Sequence, residues 1–433
     1  MKTKGFGFCK IYGAMWKSLY QFSWIIALST TTHCLANFAY VTGGASENVY
    51  VIDTSSNAVV ATISLGAGAT PTQVAVTPNG QFAYVTGGAN THTLFVIQTS
   101  SNTLIDTITL PGGTGPTGIA ITPNGNFAYV ANLNSNNVSV IDTASNSAIA
   151  TPGVLHNPFG VAITPNGNFA YVTGSSDTDV VVIDTSLNTV VATVFSIGLF
   201  PNGIAITPDG NFAFVADNAS AQVSVIKTSE NLTVAGISGM IMSPVGVAIT
   251  ANGDFLYVTN NLSPGHVTVI DVASLTFPFI TTIPVGNAPY GIAITPDGNF
   301  AYVANGGSNT VSVIDTSSNM VIDTIPNITG ANWIAITPSP LPPQNLTGKQ
   351  KKNDFGILYE LFNQLKWQVQ PNPSGPAAIG YFVYRNGVQI ATLSGTTTKF
   401  EDHDVKKGMS NTYAIVSFDI NGNLSTAATI TIK

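Results

Sequence analysis

Residues Pro289 to Ile325 read PYGIAITPDGNFAYVANGGSNTVSVIDTSSNMVIDTI. Four short runs rich in β-branched and aromatic residues, GIAIT, FAYVA, TVSVID and MVIDTI, are each bounded by turn-forming residues, the mark of consecutive antiparallel strands. Thr295-Pro296-Asp297-Gly298 predicts a tight hairpin in which Gly supplies a positive φ. Asp315-Thr316-Ser317-Ser318-Asn319 predicts a second turn, held by side chains that bond their own backbone. The unit is a four-stranded meander, too small to be stable alone.

Its Phe-Ala-Tyr-Val element recurs, starting at Phe38, Phe82, Phe127, Phe169, Phe212, Phe255 and Phe300, with spacings of 44, 45, 42, 43, 43 and 45 residues. Four strands at a period in this range point to a β-propeller. The GIAIT-type strand also occurs seven times but one step out of phase, from Gln73–Thr77 to Trp333–Thr337. Phe38 has no such strand before it, and Trp333–Thr337 has no Phe-Ala-Tyr-Val after it. Joining the two in one blade closes a ring of seven, counted from blade 1 at Phe38, and removes two exposed sheet edges. The GIAIT strands are expected innermost, where Gly and Ala permit close approach. In Phe-Ala-Tyr-Val, large and small residues alternate, so the bulky face of one blade is expected to pack on the shallow face of the next.

The chain of 433 residues is 44% hydrophobic and only 8% charged, so Asn, Ser and Thr supply its polarity. Residues 38–340 contain one Lys or Arg, Lys227, against fifteen acidic residues. Such a body is a poor partner for nucleic acid or anionic lipid. The N-terminus reads as a secretion leader: Lys2, Lys4, Lys10 and Lys17, then an apolar run from Leu19 to Leu28, then Cys34-Leu35-Ala36, with cleavage expected after Ala36. A short membrane anchor and a lipid-anchored Cys34 are the alternatives. With Cys9 and Cys34 both in the leader, the mature chain has no thiol, and no later stretch could span a membrane. The expected location is exported: periplasmic, extracellular or cell-surface.

The repeats resemble the YVTN family of β-propeller repeats from surface-layer and exported proteins. Tyr257-Val258-Thr259-Asn260 carries the motif intact, Tyr129–Asn132 and Tyr302–Asn305 read YVAN, and Tyr40, Tyr84 and Tyr171 begin YVTG. The resemblance covers residues 37–340 and implies fold more than function, because such repeats mostly occur in binding or cell-surface proteins. After the linker Pro338-Ser339-Pro340-Leu341-Pro342-Pro343, residues 341–433 resemble a fibronectin type III module. Leu365-Lys366-Trp367, Gly380 to Gly387 and Tyr413 to Asp419 carry that likeness, with Trp367 as buried aromatic and Tyr413 as corner tyrosine. Lys349 to Gln364 is longer than the usual first connection, and Gly356 to Phe362 is expected to form a short helix or an extra strand. The expected fold class is all-β: a seven-bladed propeller closed by a C-terminal strand, then a small sandwich.

No catalytic constellation is read from the sequence. His92, His156 and His266 are dispersed, the ring has no Arg, and its only Glu residues are Glu47 and Glu230. The Asp residues of VIDT (Asp53, Asp142, Asp184, Asp271, Asp315) are expected to fix turns rather than form an ion-binding ring. Asp177-Thr178-Asp179 lacks the framework of a calcium loop. No metal and no cofactor are expected. The loops entering blades 2 and 3 are bland, whereas those entering blades 4 to 7 and 1 carry Leu155, Phe159, Leu199, Phe200, Met240, Ile241, Met242, Tyr290 and Trp333. Phe159, Phe200, Met242, Tyr290 and Trp333 are the candidate binding residues, forming an apolar crescent for a protein or glycan partner. The expectation is a monomeric, non-enzymatic exported binding or adhesion protein; the alternatives are a propeller lactonase or hydrolase, or a passive surface-layer component.

Overall fold

The computed structural model describes residues 37–339 apart from 155, 156 and 275, and residues 343–432 apart from 355–358, 370–376, 420–424 and 426. The leader assigned to residues 1–36 lies outside them. Seven four-stranded antiparallel sheets follow the repeat. Blade 7, for example, runs Pro289–Ile294, Phe300–Asn305, Thr310–Asp315 and Met320–Ile325. The first strands touch one another in an unbroken circle and form the wall of the axis. Blade 1 takes its first strand, Ile334–Ile336, from the far end of the ring. It pairs with Phe38–Thr42 through Ala39↔Ile336, Tyr40↔Ala335 and Val41↔Ile334. Among the described residues no helix is long and apolar enough to cross a membrane.

Seven clusters of buried side chains lie between blades, one per joint. Six of them set the tyrosine face of one blade on the Ala/Val face of the next, as with Tyr40 against Ala83 and Val85, or Tyr171 against Ala213 and Val215. The tyrosine is fully buried, so its hydroxyl needs a partner. Six blades find it in the next blade's turn between third and fourth strands. The hydroxyls of Tyr40, Tyr84, Tyr129, Tyr171, Tyr257 and Tyr302 donate to Oδ1 of Asn102, Asn146, Asn188, Asn231, Asn319 and Asn57 at 2.5–2.7 Å. The last of these joins blade 7 back to blade 1. All six asparagines sit at φ of 49–54°, a left-handed conformation that Asn tolerates better than most residues. Burial pushes the Tyr84, Tyr129, Tyr171 and Tyr257 hydroxyls up to about 12, so they stay donors across the working pH range.

The joint from blade 5 to blade 6 is different. Phe214 replaces tyrosine and Phe277, at φ 49°, occupies the place of asparagine. The two rings meet edge to face at 6.0 Å and 85°. Both halves of the hydrogen bond have been exchanged for one aromatic contact, which leaves no orphan.

Nearer the axis a second tie operates. The hydroxyls of Thr42, Thr86, Thr173 and Thr259 donate to the carbonyl oxygens of Thr72, Thr117, Asn202 and Tyr290 on the next blade, at 2.6–3.0 Å. First-strand carbonyls crowd the preceding blade so closely that a Cβ on Gly118 or Gly160 would lie 2.0 Å from Phe159 O or 2.4 Å from Asn202 O. Hence glycine there, as in blades 5, 6 and 7. Blades 1 and 2 carry Trp333 and Gln73 instead. Their first strands are cut to Ile334–Ile336 and Val74–Val76, without the bulge that lengthens the first strand of blades 3 to 7.

The outermost strands leave one edge unpaired and expose apolar residues, including Val60, Ile105, Ile149, Val191, Leu232, Ile280 and Met320. In all seven blades the register between third and fourth strands shifts at one point, such as Val51/Ile52 and Val313/Ile314. A bulge of this kind twists an edge away from further pairing.

Beyond the linker, two sheets face each other around Leu365, Trp367, Tyr381, Val383, Tyr413, Ile415 and Ile432. The span expected as a long first connection is instead a hairpin, Gln344–Asp354 paired with Tyr359–Gln368. Tyr359 to Phe362 pair with Lys351 to Asp354 in that hairpin, so the extra strand and not the short helix forms there, and farther along it buried Leu365 and Trp367 alternate with exposed Lys366 and Gln368; Gly356 to Leu358 lie outside the described residues.

Phe214→Tyr alone should lower stability by about 1–3 kcal/mol, because the new hydroxyl meets Phe277 and no acceptor. Pairing it with Phe277→Asn should recover most of that loss in a denaturant double-mutant cycle; additive losses would show that the joint does not use this exchange.

Candidate functional site

The ring has two unlike faces. On the lower face lie the Thr-Pro-x-Gly hairpins and the turns that begin with VIDT. There Asp53, Asp142, Asp184 and Asp315 each accept backbone amides two and three residues ahead through Oδ1. Bonds from Ser145 hold the Asp142 carboxyl below its ordinary value, and the Ser186 hydroxyl does the same for Asp184. These aspartates are turn fixtures. The lower face also carries Lys227, paired with Glu230.

The upper face carries the loops between blades and those joining second to third strands. Here the candidate residues separate by exposure. Phe200, Met242 and Tyr290 are 55%, 52% and 39% exposed, and Leu199 and Met240 are exposed beside them. Phe159 and Trp333 are half-buried, and Leu155 lies outside the described residues. Ile241 does not belong to the crescent: it is buried in the joint between blades 5 and 6, a wedge rather than a contact residue. Trp333 is tied down through its backbone, its N–H donating to Thr42 Oγ1 and its carbonyl accepting the Thr42 N–H, both at 2.9 Å. The first strands of blades 4, 5, 6 and 7 adjoin in turn, so Phe159, Phe200, Met242 and Tyr290 occupy consecutive blades.

Phe200 has φ 53°, where the matching loop positions hold Gly115, Asn157, Ser243, Ala288 and Gly330. A bulky residue in that conformation is an outlier. The backbone is pinned by Asn218 N–H to Phe200 O at 3.0 Å, Ala219 N–H to Leu199 O at 3.1 Å and Leu199 N–H to Ser220 Oγ at 2.6 Å. The loop therefore presents Leu199 and Phe200 outward. Tyr290 lies with its ring edge against Gly306, where a Cβ would come within 3.2 Å.

Of two acid–base groups on this face, one, Asp217, escaped sequence reasoning, and the other, His92, was set aside there as dispersed. Asp217 closes the second strand of blade 5 in the place held by Asn132, Asn260 and Asn305 elsewhere, and is fully buried. The asparagines donate through Nδ2 to Ser139, Thr268 and Ser312, whereas Ser224 donates to Asp217 Oδ2 at 2.6 Å. Gln222 adds a bond to the same oxygen at 3.3 Å, while Oδ1 has no hydrogen-bond partner. Burial pushes the carboxyl up to about 6, with Ser224 and Gln222 opposing. The signal available in the sequence was FAFVAD where sister blades read FAYVAN.

The second group is His92, exposed on the loop between second and third strands of blade 2. Its Nδ1 is 2.9 Å from the Gly113 carbonyl oxygen. A carbonyl only accepts, so Nδ1 carries a proton, and in the neutral imidazole the lone pair is on Nε2. His266 is half-buried in blade 6, and burial pulls its imidazole below the ordinary histidine range. The structure does not bring His92 and His266 to one place, and His156 lies outside the described residues. Among the described residues no three His, Cys, Asp or Glu side chains are grouped to hold a metal ion.

A family model described as Lactonase, 7-bladed beta-propeller, matches residues 30–154 and 232–321. The chain forms a seven-bladed propeller of that pattern. No curated protein matches it. Among solved structures, a functionally unknown protein from Desulfotomaculum acetoxidans has 22% identity and a TM-score of 0.62, covering 70% of this chain and 99% of its own. Two structures provisionally named as 6-phosphogluconolactonases are similar too. That from Bacteroides uniformis has 17% identity, a TM-score of 0.61, and coverage of 70% and 100%. That from Bacteroides fragilis has 15% identity, a TM-score of 0.59, and coverage of 71% and 99%. At these identities the structures speak for the fold alone. The lactonase family match overturns the expectation of a non-enzymatic protein. That expectation rested on the lack of converging His, Arg or Glu residues in the channel.

Because the folded chain holds the Asp217 proton more tightly than an unfolded Asp does, it binds more protons between about pH 4 and pH 6. Stability must then fall as pH rises through that window and stay lower above it. Asp217→Asn should raise stability at pH 7 by about 1–3 kcal/mol and leave it unchanged below pH 4. Chemical denaturation at pH 3.5, 5 and 7 checks this; an equal effect at all three would sink the assignment.

Proposed function

We propose that this protein is a lactonase-like hydrolase working on the upper face of its ring. The single observation that carries the reading is the lactonase family match over two segments that include His92 and His266. In the reaction, water attacks the lactone carbonyl carbon and gives up a proton to a base. The tetrahedral intermediate then expels the ring oxygen, which takes a proton to yield a hydroxy acid. His92 is suited to the base, since the Gly113 carbonyl fixes its tautomer and in the neutral imidazole leaves the lone pair on Nε2.

The finer structural readings are ours as well. We infer that the repeats are of YVTN type, supported by the separate task of each letter: Tyr bonds the next blade's turn, Thr its first strand, and Asn its own third strand. We infer a fibronectin type III-like module after the linker, supported by Trp367 packed edge to face on Tyr381 at 5.5 Å. Tyr413 departs from the usual corner tyrosine by donating to a side chain, Asp402 Oδ2, at 2.6 Å. Export follows from the leader reading of residues 1–36, and N-terminal sequencing of secreted protein should begin at Asn37.

Hydrolysis of δ-lactones, followed by acid release in a pH-stat, tests the activity. His92→Ala should lower kcat/KM at least about 10²-fold with the melting curve unchanged. A rate no higher than buffer for the native chain would refute the hydrolase, and an undiminished His92→Ala rate would refute the base.

A further inference from the structure

We infer that the upper face takes an uncharged lactone carrying an apolar substituent, and that a phosphorylated sugar lactone is not its substrate; this rests on the lactonase reading above. A phosphate dianion needs cations aligned to receive it. Between residues 38 and 340 the single Lys or Arg is Lys227. It ends the third strand of blade 5, at the lower face, and is already engaged by Glu230. The ionisable acids of the upper face are Glu47, Asp177, Asp179 and Asp217, all of the sign that repels phosphate. Burial and the neighbouring charge of Asp177 act together on Asp179, and Glu47 is spent on the Gly68 N–H at 2.7 Å. Among the described residues of this face no Lys or Arg stands to compensate a dianion.

What the face does offer is hydrocarbon. Phe200, Met240, Met242 and Tyr290 stand exposed on the loops entering three successive blades. Their positions are built rather than incidental. Phe200 is turned outward by a loop fastened at Leu199 and at its own carbonyl, and Met242 is anchored by its N–H to Asn260 Oδ1 at 2.7 Å. Tyr290 is set by the bare Cα of Gly306. The loops entering blades 2 and 3, on the other side of the axis, present Gly and Thr at corresponding places. A ligand with an alkyl or aryl tail lying across blades 5 to 7 would remove this surface from water, while its polar ring faces the sparse side. Flexible Met beside fixed aromatics suits tails of differing length.

The experiment compares δ-valerolactone, δ-nonalactone and δ-dodecalactone with 6-phosphoglucono-δ-lactone on the full chain. The kcat/KM should rise with tail length, by about fourfold for each methylene that is buried, and the phosphorylated lactone should be opened at least 100-fold more slowly than the dodecalactone. Phe200→Ser with Met242→Ser should flatten the length series. Val191→Ser, on the outer strand of blade 4, should not. Preference for the phosphorylated lactone, or a flat series in the native chain, would overturn the inference and leave the hydrolase standing. Should no lactone be opened, calorimetric titration with the matching lactams separates the two ideas. Binding that tightens with tail length and is lost in the double variant would uphold the ligand class while the hydrolase falls; no length-dependent binding would remove the ligand class too.

Discussion

The molecule depends on how a buried tyrosine hydroxyl is satisfied. Each blade must bury two faces, and a flat Ala/Val surface accepts an aromatic ring well. A phenol adds reach, but its oxygen must not be left dry. The answer is an asparagine in a left-handed turn of the next blade, and it recurs at six joints, including the one between the last blade and the first. At roughly 1 kcal/mol for a typical net hydrogen bond, no single tie explains the ring. Their value is directional, because apolar faces alone would tolerate sliding whereas each hydroxyl fixes the offset between blades.

The Phe214–Phe277 joint supports this account by exception. Had tyrosine served only as bulk, its turn partner would be free to vary. Instead asparagine is replaced where the hydroxyl is missing and retained wherever it is present. The same economy governs the axis, where glycine is absent only in the two blades whose first strands are shortened. Outside, the repeated bulge separates a surface rich in exposed Val and Ile from edge-to-edge growth.

Much of this was legible in the sequence. The period of Phe-Ala-Tyr-Val gives the number of blades, and the phase offset of Trp333–Thr337 gives the closure. The turn role of Asp315 follows from its Thr-x-x-Asn context. What could not be read was anything that depends on partners distant in sequence. Tyr84 and Asn146 lie in different repeats, and nothing local announces their bond. Exposure was also hidden: Ile241 and Met242 are neighbours of similar hydropathy, yet one is wedged in a joint and the other faces solvent. Asp217 differs by one letter from its sister asparagines, and only its complete burial reveals an altered proton affinity. His92 gained meaning from a single carbonyl twenty-one residues away.

Blade 1 is made from both ends of the ring, and there Ser339 Oγ lies 2.9 Å from Asn37 Oδ1. The polypeptide thus returns to its starting point with its seven joints all running in one sense. Such a circle has no intrinsic first member. Joining residue 339 to residue 37 and opening the chain at any lower-face turn would preserve the same sheets and the same neighbours. The order of blades along the gene is, in that respect, arbitrary; only their order around the axis carries physical meaning.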